Sequence, residues 1–152
     1  MHSPEDFIKL TQQLHGLFHD RDNSYTLCTV VGDVECDFLR FIFNEGRPMR
    51  MSEISSKYQI SSTKVTRIID KLVRKKFIHR YPSNIDRRCW YARITVEGKR
   101  MAENTNYKLN EFQKTVLDKI PDDKIDGIYD SLEVFTNAYS ATISEAHESP
   151  SK

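Results

Sequence analysis

Apolar residues recur at helical spacing towards both ends of the chain and at strand spacing in one short stretch near its middle. Phe7, Leu10, Leu14, Leu17 and Phe18 mark one face of an amphipathic helix over residues 5–19, with Pro4 and Glu5 suited to its start. Beyond the polar break at residues 20–24 (DRDNS), Val34, Phe38, Phe41 and Ile42 mark a second helix that Gly46 and Pro48 stop. The piece between, residues 24–33, reads equally as helix or as extended chain. Two helices then follow in quick succession in MSEISSKYQISSTKVTRIIDKLVRKKF, the first capped by Ser52 and the second by Ser61 or Ser62. Strands over residues 78–81 and 89–95 come next, the second with Trp90, Ala92 and Ile94 at period two, joined by the polar turn Ser83-Asn84-Ile85-Asp86. A long helix over residues 97–120 carries Met101, Leu109, Phe112, Val116 and Leu117. Pro121 and Asp122 open the last, where Ile125, Ile128, Tyr129, Leu132, Phe135 and Tyr139 keep the helical rhythm. The tail SEAHESPSK is expected to fray.

This order predicts a mainly α fold with one small β-hairpin. At 152 residues the chain reads as a single domain, long enough to bury a core. The outer helices look too elongated to bury each other fully, so a partner chain is a plausible cover. No run reaches the apolar length of a bilayer span, and MHSPEDFIKL lacks a secretion signal's basic and apolar regions, so a cytoplasmic protein is expected. Cys28, Cys36 and Cys89 are too few and oddly numbered for a disulfide framework, which makes reduced thiols the expectation.

Charge changes the picture. The net charge is only +1, yet residues 47–100 hold fifteen Lys or Arg against four Asp or Glu, while the remainder holds eight against eighteen. One third of the chain is built to attract polyanions and the rest to repel them, which points to a localised nucleic-acid surface. Projected as a helix, Val65, Ile68, Ile69 and Leu72 share one face. Thr63, Arg67, Lys71 and Arg74 lie opposite, with Lys64 on the flank. A second helix of a two-helix unit with such a face fits the major groove, its N-terminal residues meeting base edges. A solvated basic face alone leaves unexplained the hairpin with Arg87 and Arg88 that follows directly. Such a hairpin acts as a wing, dropping an arginine into the adjacent minor groove, with Asp86 holding one guanidinium through a bidentate pair.

The segment ISSTKVTRIIDKLVRKKFIHRYPSNIDRRCWYARITVEGKRM resembles the winged helix-turn-helix of MarR-type transcription regulators, including the spacing from the Asp-Arg-Arg turn to IT and then EG. The resemblance implies a winged helix-turn-helix over residues 47–100 flanked by helical dimerisation regions at 5–30 and 105–146. It implies a homodimer that binds a pseudo-palindromic operator, most often as a repressor. It assigns DNA contacts to Ser61, Ser62, Thr63, Lys64, Thr66, Arg67 and Lys71 on the recognition helix, a wing-tip pair to Asp86 and Arg88, and a further contact to Arg87. Two departures stand out, Gln59 and Lys76, at turns where the family usually has glycine. If those turns keep a positive φ, a non-glycine residue there carries a strain of about 1 kcal/mol. The family's usual start to the second helix is replaced by VGDVECDF, so the effector region transfers least.

No cofactor is required by this reading, and three effectors compete. His15 and His19, spaced i, i+4, are weak metal ligands without a fixed third donor. Cys28 and Cys36 form a possible redox pair, although Asp33, Glu35 and Asp37 oppose a thiolate at Cys36 and inert thiols are the plainer reading. A small ligand among Phe18, Tyr25, Phe38 and Phe112 is the family's habit, against which such aromatics are more often core. An enzyme finds no support, since the sequence has no Gly-rich phosphate loop, nucleophile elbow or HExxH. The stronger rival is an architectural protein that binds DNA without sequence preference. A protein-interaction module that kept the fold is a third class.

Overall fold

A computed structural model describes residues 1–24 and 31–148. The elements run α1 (Pro4–Ser24), α2 (Asp33–Glu45), β1 (Met49–Arg50), α3 (Met51–Tyr58), α4 (Ser62–Arg74), β2 (Ile78–Pro82), β3 (Trp90–Ile94), α5 (Val96–Leu117) and α6 (Asp122–Glu148). They group into two compact units, Met1–Asn110 and Glu111–Lys152.

The core of the first unit gathers around α4. Val65, Ile69 and Leu72 lose all exposure there, in one cluster with Phe38, Leu39 and Ile42 of α2, Ile54 of α3, Met49 of β1, Ile78 of β2, Ala92 of β3 and Ala102 of α5. Each large aliphatic side chain so buried contributes roughly 1.5–3 kcal/mol. The sheet is three-stranded and antiparallel in the order β1-β3-β2, with Met49 opposite Ala92 and Ile78 opposite Ile94. Period two turns Met49, Ala92 and Ile78 inward. On the other face the Tyr81 ring stacks on Tyr91 at 5.8 Å and on His79 at 5.7 Å, and Arg50 Nε donates to the Tyr91 hydroxyl at 2.9 Å. Helix α3, a short turn, α4 and the β2–β3 hairpin form a winged helix-turn-helix.

Local chemistry sets the boundaries. Gly46, at φ 67°, ends α2 as expected. Ser61 caps α4, its Oγ accepting the Lys64 N–H at 3.3 Å. Ser52 does not cap α3: pairing of β1 with β3 carries extended backbone as far as Arg50, and the helix begins one residue before that serine. The missing β1 is two residues long, too short for period two to register in sequence. Gln59 and Lys76 do adopt positive φ, 51° and 63°. At the second, the Phe77 N–H reaches Leu72 O and the Lys76 N–H reaches Val73 O, both at 2.9 Å, the paired closure of a Schellman end. The IT and EG pattern also has a physical basis. Thr95 Oγ1 donates to Lys76 O at 2.7 Å and accepts the Gly98 N–H at 3.0 Å. A Cβ on Gly98 would stand 2.2 Å from Phe77 O, so only glycine lets α5 start there.

Near the N-terminus one sequence expectation fails. Residues 20–24 continue α1 rather than breaking it, with Arg21 Nη2 2.7 Å from Asp22 Oδ1 and its guanidinium over the Phe18 ring. Of the tail expected to fray, residues 144–148 continue α6 and residues 149–152 lie outside the described residues. In the second unit, a turn after α5 leads through Pro121, whose carbonyl accepts the Lys124 N–H at 2.9 Å. Helix α6 there leaves Ile128, Tyr129, Leu132, Val134, Tyr139 and Ile143 exposed. In the first unit, α1 likewise exposes Ile8, Leu10, Leu17 and Phe18.

Candidate nucleic-acid interface

Burying Val65, Ile68, Ile69 and Leu72 dictates what α4 shows to solvent. Ser61, Ser62, Thr63, Lys64 and Arg67 are exposed along its first two turns. Lys64, Arg67 and Arg74 take part in no ion pair among the described residues, so their charge is available to an anion. Thr66 is half-buried, its hydroxyl donating to Ser62 O at 2.9 Å.

Lys71 stands apart from the set predicted to touch DNA. Its Nζ lies 2.5 Å from Glu35 Oε1 of α2, and the Glu35 side chain is only 9% exposed. Burial pushes that carboxyl up, but the Lys71 hydrogen bond, the residue's own backbone N–H and the ammonium charge outweigh it and hold it below the ordinary value. Gly32 leaves room for this arrangement, since a Cβ there would meet Glu35 Oε2 at 2.6 Å. A helical wheel shows which face Lys71 occupies but not that a carboxylate 36 residues away reaches it.

The wing is fastened to α4 by residues that sequence reasoning passed over. Arg80 Nη1 lies 3.0 Å from Asp70 Oδ1, and the guanidinium sits 4.6 Å from the centre of the Trp90 ring. Arg80 Nε is buried without a hydrogen-bond partner among the described residues. Asp70 is the one acidic residue of α4, the signal that was there to be used.

At the tip, Asp86 corrects the expected guanidinium pair. Its Oδ1 accepts the Arg88 backbone N–H at 3.0 Å and its Oδ2 the Cys89 thiol at 3.5 Å. A short acidic side chain closes on the backbone two residues ahead more readily than on a long flexible arginine. Arg87 and Arg88 therefore stand exposed with no carboxylate partner among the described residues.

The effector candidates fare differently. Phe38 is buried and stacked on Tyr58, Phe18 is exposed, Tyr25 lies outside the described residues, and Phe112 belongs to the second unit. His15 and His19 are exposed, and no metal-binding group of three donors occurs among the described residues. Cys36 is buried and disulfide-bonded, which overturns the expectation of a reduced thiol there; Cys28 lies outside the described residues. Cys89 is a free thiol. A cavity of about 620 Å³ opens instead at the foot of the hairpin, with Phe43, Pro48, Ile94 and Val96 as apolar walls and Arg93 and Lys99 among its cations.

Comparison with known proteins gives the arrangement a context. Residues 34–90 match the model of the MarR family. The uncharacterized HTH-type transcriptional regulator YpoP of Bacillus subtilis is 31% identical over 78 residues, which cover 51% of this chain and 55% of that one. The chain thus spans about half the length of the curated relative it matches. Among solved structures, RV1404 of Mycobacterium tuberculosis superposes with a TM-score of 0.74 at 15% identity, covering 91% of this chain and 95% of that one. MepR of S. aureus in complex with DNA gives 0.70 at 16%, covering 91% and 99%. The heme sensor PefR of Streptococcus agalactiae gives 0.63 at 18%, covering 91% and 95%. At these identities the likeness is one of fold.

Proposed function

We propose, from the match of residues 34–90 to the MarR family model, that the chain is a cytoplasmic, homodimeric and sequence-specific DNA-binding repressor of that family. The observation that carries the reading is the pairing of two exposed cationic elements on one frame. Helix α4 offers Ser62, Thr63, Lys64 and Arg67, the wing offers Arg87 and Arg88, and the Arg80–Asp70 ion pair ties wing to helix. In this reading α4 meets base edges in the major groove while the wing arginines enter the neighbouring minor groove. The exposed apolar residues of α1 and of α6 are what a second copy would cover. Release by a small effector belongs to the same reading, and the cavity at the foot of the hairpin, with apolar walls and with Arg47, Arg93 and Lys99 outnumbering its one acid, Glu103, suits an organic anion.

The test is selection of duplexes from a random pool by the purified protein, repeated at several salt concentrations. An enriched two-fold symmetric site, with half-sites about one helical turn apart, is expected. Salt-sensitive binding without enrichment would mean an architectural protein, and absence of binding with and without candidate effectors would overturn the reading.

A further inference from the structure

Apart from the terminal Met1, Ile85 is the most exposed large apolar side chain among the described residues, at 99%. It stands at the tip of the wing between Asn84 and the run Asp86-Arg87-Arg88, all of them polar and exposed. The turn that carries it is held at several points. Ser83 Oγ accepts the Ile85 N–H at 3.2 Å and the Asp86 N–H at 3.4 Å. The Ser83 N–H donates to Cys89 O at 2.8 Å, and the Cys89 N–H to Asp86 O at 2.9 Å. Ile85 contributes no side-chain hydrogen bond to this turn and, fully exposed, no burial to the fold. Its β-branched side chain has few rotamers, so a fixed backbone presents it in a nearly fixed direction.

We infer that Ile85 is an apolar wedge for duplex DNA, an inference that rests on the DNA-binding reading above. Arg87 and Arg88 draw the tip into the minor groove, where the potential is most negative. The branched side chain of Ile85 then presses on the groove floor between two base pairs, partly unstacking them and bending the duplex. The ligand it selects is therefore a duplex with a deformable pyrimidine–purine step beneath each wing, a preference read through deformability rather than hydrogen bonds. The flanking arginines decide for DNA over an apolar protein surface, since burying them there would leave two charges unpaired.

The test uses the duplex that the full-length protein enriches, with 2-aminopurine at the steps under the wing and a donor–acceptor dye pair at the ends. The parent is expected to raise 2-aminopurine emission at one step per half-site and to shorten the end-to-end distance. Ile85→Ala is expected to bind several-fold more weakly with an unchanged salt slope, to lose both signals, and to enrich sites without the pyrimidine–purine preference. Ile85→Leu should keep them. A parent that binds without either signal, or an alanine variant that retains both, overturns the wedge and leaves the DNA reading intact. A reduced salt slope in Ile85→Ala overturns it too, because the loss would then lie in displaced arginines. A parent that enriches no duplex overturns the DNA reading and this inference together.

Discussion

Helices α4 and α6 carry similar apolar stripes and dispose of them differently. In α4, Val65, Ile69 and Leu72 are wholly enclosed by the chain's own elements, which leaves the opposite face free for solvent or a polyanion. In α6, Leu132 remains 49% exposed and Tyr129 66%, with Ile128, Tyr139 and Ile143 in the same condition. The pattern that makes an amphipathic helix therefore does not say where its apolar face goes. One helix is completed by its own fold. The other keeps a surface whose burial requires something more, which is the physical basis for assigning it to a second copy.

The largest effects should come from exchanging the two situations. Leu72→Ala is expected to destabilise the chain by about 2–5 kcal/mol, because the site is enclosed and the surroundings close only partly over the lost methyl groups. Urea unfolding followed by Trp90 fluorescence measures it. Leu132→Asp should shift that transition far less but move the sedimentation coefficient from dimer to monomer and weaken binding to a two-half-site duplex. If Leu132→Asp sediments like the parent, α6 does not form the interface.

On the other side of α4, charge rather than packing is at stake. Arg67→Ala and Arg88→Ala should each weaken duplex binding about tenfold and lower the slope of log affinity against log salt by about 1, read by fluorescence anisotropy across a salt series. Asp86→Ala should weaken binding through the tip, since its carboxylate holds the Arg88 backbone rather than a guanidinium, and should leave the salt slope unchanged. Lys71→Met is the contrasting variant. With its ammonium already on Glu35, it should change the slope less than Arg67→Ala does.

Glu35 adds a pH window to that contrast. Its folded-state carboxyl titrates below the ordinary value, so its contribution is complete above the unfolded value near 4.3 and is lost as pH falls through the folded one. Lys71 is more than half exposed, which discounts the pair to about 1 kcal/mol. Glu35→Gln should flatten the part of the stability profile that falls as pH drops below the unfolded carboxyl value, and an unaltered profile would mean the pair contributes nothing.

What was readable in the residues follows from how local each cause is. The α4 face, the Ser61 cap, the Gly46 stop and the hairpin depend on neighbours within a few residues, and all appear. The α3 start depends on β1 pairing with a strand forty residues on, and Ser52 misleads for that reason. Lys71 and Glu35, or Asp70 and Arg80, are pairings across elements that a wheel cannot contain. At residues 20–24 a polar composition suited to a turn is also compatible with a helix carrying its own Arg–Asp pair, and here the helix prevails.

The smallest expected effect tests the two turns that frame α4. Gln59 and Lys76 hold φ values of 51° and 63°, where an L side chain costs roughly 1–2 kcal/mol. Glycine removes that strain but adds unfolded-state freedom worth roughly 0.4–1 kcal/mol, so the net gain for Gln59→Gly or Lys76→Gly should be about 0.5–1 kcal/mol each. Both side chains are exposed, so little packing is lost in return. Because the sites bracket α4 without sharing a hydrogen bond, the two gains should add in the double variant, measured as a shift in urea midpoint at constant slope. Loss of duplex binding in Lys76→Gly without loss of stability would show that the ammonium contacts phosphate. Loss of stability in either variant would mean that the native closure, with its hydrogen bonds to Val73 and Ser56, outweighs the strain of the backbone that makes it.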